Sequence, residues 1–403
     1  MGAFAGVDWA KDEHAVLVED ERGELLAERV LAHDEQGIGA LCRLLLDHGV
    51  ERVAVERPDG LLVERLLDAG LTVLALHPNQ VKAARARFRA QGGKSDRFDA
   101  FVLAELARTD AHRFRALAPD ADATKALRAL TRAREDLVEA RVALANQLRA
   151  ELDRFWPGAA RLFADVDSPI CLAFLERYPS PRDARGLGLK RLEAFLHRNA
   201  YPGRRTPAEL LARLRRAPQG RAGELECEAR RGIVLALVAA LRPLVERTRE
   251  LEREIAHAIR SHRDGEIFLS LFRDPRSVIT AARLLAEIGD SRLRYPTSEA
   301  LAADGGMSAV AVESGKRKTA AFRWACDKRL RDALATLSDS TRHHNPWAHR
   351  LYTDARGRGH DHQRAIRTVG RAWTRILWRI WQDQTPYDPT RHRALQRQLT
   401  TEG

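Results

Sequence analysis

The chain has 403 residues, room for two or three domains, and 44% of them are apolar, enough for buried cores. Lys and Arg number 68 against 56 Asp and Glu, and the net charge of +12 favours a polyanionic partner, nucleic acid being the commonest. The four cysteines (Cys42, Cys171, Cys227, Cys326) make no Cys-x-x-Cys pair, which argues against a disulfide framework or zinc knuckle, while charge arrives too early for a signal peptide and no apolar run is long enough to span a membrane.

Residues 3–8 (AFAGVD) are a short apolar run that ends in a carboxylate. Segments 14–20 and 24–30 flank Glu21-Arg22-Gly23 and read as a hairpin. Helical spacing over 35–48 puts Ile38, Leu41, Leu44 and Leu45 on one face. A second buried strand, 52–56, again ends in a carboxylate; a helix over 60–69 and a third core strand over 71–76 follow. A helix over 79–90 stops at Gly92-Gly93, and another runs from Asp96 to Arg108 with Phe98, Val102, Leu103 and Leu106 on its apolar side. The order, three strands and then alternating helices and strands, fits a mixed sheet flanked by helices and matches the ribonuclease H-like fold.

From 122 to 153 apolar residues recur every three or four positions without Pro or Gly, the pattern of a long amphipathic helix. A second such helix spans 228–262, with Pro243 as a point of kinking. The two suit an antiparallel pair or an intermolecular coiled coil. Between them, 155–226 is broken by seven prolines and reads as a small helical insert with no assigned chemistry. Residues 266–385 read as mainly helical, and the polar, Arg-rich segment after Pro386 as a loose tail. The fold class is therefore α/β plus all-α, with expected boundaries at 1–115, 116–265, 266–390 and 391–403.

Asp8 and Glu56 end two core strands, and Asp96 and Asp99, three apart at a helix start, share a face. In a ribonuclease H-like sheet such positions converge on one edge. Four carboxylates gathered there would repel one another without cations. Two Mg²⁺ ions about 4 Å apart would relieve the repulsion and clamp the attacking and leaving oxygens of a phosphodiester. Helix capping accounts for any one of these acids alone; it accounts poorly for a carboxylate that directly ends a buried strand. Lys82, Arg85, Arg87, Arg89, Lys94 and Arg97 crowd beside them, as a solvated face or as a track for a phosphate backbone. Farther on, Trp373, Ile376, Leu377, Ile380 and Trp381 interleave with Arg371, Arg375 and Arg379, the pattern of a core helix with a basic outer face; base stacking is the second reading. His343, His344, His349, His360 and His362 fit no zinc spacing and suit phosphate contacts or loop hydrogen bonds.

Gly6-Val7-Asp8-Trp9-Ala10-Lys11, Glu56 and Lys94-Ser95-Asp96-Arg97-Phe98-Asp99-Ala100 together resemble the DEDD transposases of the insertion-sequence-110 type, whose N-terminal domain is similar to the junction resolvase RuvC. The resemblance resumes with ARLLAEIGD (282–290), Ser314-Gly315-Lys316, Phe322 to Lys328, His344-Asn345-Pro346-Trp347 and Arg358 to His362. It departs at Arg273 to Ser277, where many members carry a Pro-Gly-x-Gly turn.

A Ser-Gly pair in a basic loop reads by itself as a turn. The resemblance implies more: Ser314 as the nucleophile that links covalently to DNA, with Asp8, Glu56, Asp96 and Asp99 as Mg²⁺ ligands in a composite site. Lys316, Arg317, Lys318 and Arg323 would offset developing charge, with Lys94 and Arg97 as further nucleic-acid contacts; Ser308 lies outside the matching run. The resemblance also implies a structured noncoding guide RNA, donor and target DNA, a dimer or tetramer, and work in the bacterial cytoplasm at the nucleoid. Two other classes stay open at this point: a hydrolytic RuvC-like resolvase that uses the acids with water, and a non-catalytic nucleic-acid-binding relic.

Overall fold

The computed structural model describes residues 2–56, 60–88, 95–114, 116–218, 220–274, 277–314 and 317–402, with side chains omitted for 312–319 and 401–402. The chain divides into two compact units, residues 1–121 with 289–300, and residues 122–288 with 301–403.

The first unit is a mixed α/β layer structure. Its strands are β1 (Ala3–Trp9), β2 (Glu13–Asp20) and β3 (Leu25–Ala32), then β4 (Val50–Val55) and β5 (Val73–Ala75), in the sheet order β3-β2-β1-β4-β5. β1, β2 and β3 pair antiparallel, whereas β4 runs parallel to β1 and β5 parallel to β4. The β2–β3 turn is the expected one, and Gly23 takes φ +85° there, a conformation that glycine adopts without strain. Helices α1 (Glu35–Asp47) and α2 (Leu61–Asp68) connect the strands; α3 (Pro78–Phe88) and α4 (Asp96–Thr109) follow the sheet.

Strand alternation assigns the two faces. Ala3, Ala5 and Val7 of β1, with Val16, Val18, Val53, Val55 and Val73, join Ile38, Leu41 and Leu45 of α1 and Leu62 and Leu66 of α2 in one core. On the other face Phe4, Ala54 and Leu74 meet Phe98, Val102, Leu103 and Leu106 of α4. The strands carry apolar residues on both faces because helices cover both.

The second unit is mostly helical. α5 (Asp122–Phe155) and α10 (Glu224–Ser261) bracket α6 (Pro157–Ala160), α7 (Pro169–Arg177), α8 (Leu189–Arg198) and α9 (Pro207–Arg216). α5 and α10 pack antiparallel within the chain: Arg134 pairs with Glu252 and Glu151 with Arg230, both at 2.6 Å, so residue numbers rise along one helix as they fall along the other. α10 continues through Pro243. The proline-broken segment has its own core, in which Trp156, Phe163, Phe174, Tyr178 and Phe195 pack with Leu148 and Val238 of the long helices.

Beyond α11 (Gly265–Leu269) and α12 (Val278–Ile288) come α13 (Ser298–Asp304), α14 (Lys328–Thr341), α15 (Pro346–Gly357), α16 (His362–Gln382) and α17 (Arg393–Glu402). Two features differ from the sequence expectation. An antiparallel hairpin, β6 (Val310–Ser314) and β7 (Arg317–Ala321), interrupts the helices. The segment expected to be a loose tail folds into α17, because Leu395 finds a buried seat. The aromatic run of α16 is core, as its spacing suggests: Trp373, Leu377 and Trp381 are fully buried, and Trp373 Nε1 donates to Thr341 Oγ1 at 2.8 Å. The four cysteines are free thiols. No helix among the described residues is long and apolar enough to cross a membrane.

Candidate active site

Gly6 sets how closely α4 lies on the sheet. A Cβ at this position would overlap the Ala100 carbonyl oxygen and the Ala104 amide nitrogen, so the helix backbone rests directly on β1. Only glycine allows that approach. Ser95 starts α4 from an extended conformation, its Oγ accepting from the Phe98 amide at 3.2 Å. The first turn therefore carries Asp96 and Asp99 above the strand ends, where the helix dipole favours negative charge.

Asp8 lies two residues beyond Gly6 and so on the face that α4 covers. Gly6 pairs with Ala54 and Val7 with Val55 across the parallel β1–β4 ladder; one further step of that register sets Glu56 beside Asp8. Asp99 is 1% exposed, and Arg85 of α3 donates to both its oxygens, Nε to Oδ1 and Nη2 to Oδ2, at 2.6 Å each. Arg85 Nη2 also stands 3.6 Å from Glu56 Oε1. One guanidinium thus joins two of the four expected acids, Asp8 sits on the same face, and Asp96 is exposed one turn nearer the helix start. Among the described residues, no three His, Cys, Asp or Glu side chains converge so as to share a metal ion. The donor type nevertheless fits a hard divalent cation, and positive charge already stands between Glu56 and Asp99 in the form of Arg85.

The expected cationic contacts fare differently. Arg97 is exposed and pairs with Glu28 at 2.6 Å. Arg87 pairs with Asp110 at 3.3 Å. Lys94 and Lys316, with Gly92-Gly93 and Pro275-Arg276, lie outside the described residues, as do the side chains of Ser314, Arg317 and Lys318. The backbone places Ser314 as the last residue of β6, opposite Arg317. Arg323 donates from Nε to the Ser308 carbonyl at 3.1 Å.

Two clusters in the first unit escaped the sequence reading. Glu19 of β2 is 1% exposed and shares Arg108 with Glu105. Burial and the neighbouring Glu105 push its carboxyl up to about 7, against the pull of Arg108. On the opposite sheet face His14 is fully buried, with Nε2 at 2.8 Å from Nδ1 of His33. Burial, then His33, bring it down to about 4, so it is neutral. A charged residue alternating onto a covered sheet face was the available signal for Glu19.

Several polar residues of the C-terminal motifs prove to be helix caps. Asp327 accepts from the Arg329 and Leu330 amides, Asn345 from Ala348 and Asp361 from Arg364, at the starts of α14, α15 and α16. Arg283 and Glu287 of the ARLLAEIGD run each form ion pairs with residues of other helices. Arg132 grips both Glu287 oxygens at 2.9 and 2.8 Å, while Arg283 pairs with Glu135 and Asp332. The loosely grouped histidines are likewise tied locally, His362 to the Tyr352 hydroxyl at 2.9 Å and His349 to the Arg342 carbonyl at 3.2 Å.

Acids at the end of a mixed sheet, joined in one chain to an arginine-rich helical unit, mark an enzyme of nucleic-acid processing, and comparison with known proteins makes it a transposase. A family model described as "Transposase", for DEDD transposases of the IS110 kind, matches residues 5–157, and one described as "Transposase IS116/IS110/IS902 family" matches residues 277–353. The chain is 31% identical over 401 residues to "Mini-circle putative transposase for IS117" of Streptomyces coelicolor, covering 97% of this chain and 96% of that relative. It is 28% identical over 397 residues to "Insertion element IS116 uncharacterized 44.8 kDa protein" of Streptomyces clavuligerus, covering 96% of each. A protein of insertion element IS110, also from Streptomyces coelicolor, is 27% identical over 398 residues, 96% of each chain. The chain belongs to the IS110 family of transposases.

Proposed function

We propose that this transposase cuts and rejoins DNA through a serine–DNA linkage, with its N-terminal acids holding Mg²⁺. The observation that carries the reading is the close seat of α4 on Gly6, which brings the buried Asp99 to the face and strand end where Asp8 and Glu56 lie. The strand order and directions support a ribonuclease H-like, RuvC-like fold for the first unit. Asp8, Glu56, Asp96 and Asp99 would be the ligands, and the ion would supply charge neutralisation at the scissile phosphate. Arg85, which now neutralises Asp99 and approaches Glu56, would have to yield part of that role.

The chemistry assigned to Ser314 balances without a cofactor. The serine Oγ forms a bond to phosphorus as one P–O bond to a deoxyribose breaks, and the freed sugar oxygen takes up a proton. Attack by the sugar hydroxyl of a second strand reverses the step and releases the serine, so no ATP is consumed. Ser314 forms the last pair of the β6–β7 ladder, opposite Arg317, so its backbone is held by two hydrogen-bonded strands. Within this reading the region 1–115 carries the acids and 266–390 the serine, a structured noncoding RNA directs the protein to donor and target DNA, and more than one copy acts, since two strand exchanges need more than one nucleophile. The long helices 122–155 and 224–261 would offer coiled-coil surfaces for that assembly.

The test is covalent capture. Protein, Mg²⁺, RNA from the flanks of the element and matching DNA are combined and denatured, and protein–DNA adducts are sought. The reading expects an adduct in the wild type that is lost in Ser314→Ala and in Asp8→Asn. Cutting without an adduct, unchanged in Ser314→Ala, would replace it by hydrolysis at the acids.

A further inference from the structure

Beside the β6–β7 hairpin runs an open groove of about 540 Å³. Its floor and walls include Ala309, Ala320 and Phe322 on the hairpin side, and Arg364, Arg367 and Arg371 on α16. The arginines continue to Arg375 at steps of three, four and four residues, so all share one helix face. Arg364 to Arg375 spans roughly 16 Å of helix, enough for several successive phosphates. Arg323 closes the line from the other wall.

Among the described residues, Arg364, Arg367 and Arg371 make no ion pair with a carboxylate, in contrast to Arg132, Arg134, Arg283 and Arg329 of the same unit. Arg367 is instead laid over the Phe322 ring, 4.9 Å from its centre, with Arg331 over the same ring at 5.5 Å. Stacking fixes the plane of a guanidinium and leaves its edge donors available. Burial, with the neighbouring Arg364 and Arg331, brings the affinity of Arg367 for its proton below the usual value, against the pull of Asp361.

An aromatic completes the surface. Trp324 is 80% exposed, its ring edge-to-face with Phe322 at 4.7 Å, directly after the groove residue Arg323. Sinking so large an apolar ring in water is unfavourable unless something covers it. A nucleobase freed from a duplex is a flat partner of the right size, and base–aromatic stacking with a basic track is how single strands are held. Bases inside a duplex offer no free face.

We propose that this groove binds single-stranded DNA, the α16 arginines taking its phosphates and Trp324 an unstacked base, as the strand approaches the hairpin that carries Ser314. The choice of DNA rests on the reading of Ser314 as nucleophile. Val310 and Ala321 pair at the groove end of the hairpin, and Ser314 lies four residues farther along β6, roughly 13 Å of strand. A strand seated in the groove would meet the serine a few nucleotides on.

The experiment measures binding of the full chain, without added Mg²⁺, to a labelled single-stranded DNA, the same sequence as RNA, and the duplex, across a range of salt. Arg364→Gln with Arg371→Gln is expected to weaken single-stranded DNA binding at least tenfold and to reduce the salt slope by about 1.4, two phosphate contacts at about 0.7 each. Trp324→Ala is expected to weaken it about tenfold with the slope unchanged, and Arg371→Lys to keep the slope. Unchanged DNA binding in these exposed-residue variants would overturn the proposal. So would a loss confined to RNA, or a loss on duplex with Trp324→Ala silent. Binding needs no chemistry, so groove-dependent binding without any serine adduct would support the groove and remove only the nucleophile; an adduct with groove variants binding normally would remove only the groove.

Discussion

Arg85 of α3 grips both oxygens of Asp99 of α4 at 2.6 Å, and Asp99 is 1% exposed. The same guanidinium reaches Glu56 at 3.6 Å. A buried carboxylate thereby keeps a full charge partner, and the same cation stands beside Glu56. This pair links the stability of the first unit to the chemistry proposed for it.

Arg85→Met is expected to lower stability by about 3–5 kcal/mol, because it leaves Asp99 buried without its partner. Thermal unfolding with and without Mg²⁺ checks the second half of the expectation. The variant should gain more from Mg²⁺ than the wild type does, since the ion can replace the guanidinium. An equal gain in both would confine the Arg85–Asp99 pair to a structural role.

Gly6→Ala should cost about 2–3 kcal/mol and abolish adduct formation, because its methyl would force α4 away from β1 and shift Asp99. Gly39→Ala is the control. Gly39 lies in α1, where a Cβ would find nothing nearer than Arg43 Nη1 at 3.5 Å, and the change should stabilise by up to about 1 kcal/mol. Chemical denaturation of both, with unchanged slope, distinguishes packing from helix propensity.

Glu19 gives a pH dependence of definite sign. Its carboxyl is raised by burial and by Glu105 from an unfolded value near 4.5 to about 7. Between those values the folded state holds the extra proton, so this group's contribution to stability falls as pH rises through the window. Glu19→Gln, which can still accept from Arg108, should flatten that decline and stabilise the chain at pH 8 by on the order of 1–3 kcal/mol. Equal stability of the two proteins at pH 8 would show that Arg108 already compensates the charge.

Glu287 is 3% exposed and depends on Arg132 of α5 for both its oxygens. Arg132→Met should destabilise the second unit by about 3–5 kcal/mol, and the double change with Glu287→Leu should recover much of it. Urea unfolding of the four proteins in the cycle measures the coupling; additive losses would mean that the two residues act independently.

Much of this was readable in the sequence. Short apolar runs located the core strands, and the 3.6-residue period located the helices, including the buried stripe of Trp373, Leu377 and Trp381. Carboxylates at the ends of 3–8 and 52–56 and at the start of 96–108 were the candidates for an acid site, and the structure brings Glu56 and Asp99 to one guanidinium, that of Arg85. The hairpin at 310–321 was not readable as such, because a short basic strand beside Gly315 gives the same local signal as a loop. Nor did the polar residues of the C-terminal motifs announce themselves as caps and ion-pair partners.

Local pattern alone settled most of the helices and strands and which face of each is apolar, the hairpin at 310–321 and α17 excepted, since those follow from backbone periodicity and side-chain burial within a few residues. It also carried the family. Tertiary structure decided which distant residues meet: Arg85 with Asp99 and Glu56, Gly6 under Ala100 and Ala104, Arg132 with Glu287, and α5 antiparallel to α10. Parity tells a charged side chain which face it occupies. It does not name the partner there, because the Coulomb and packing energies that choose it depend on distances in space that sequence separation does not fix.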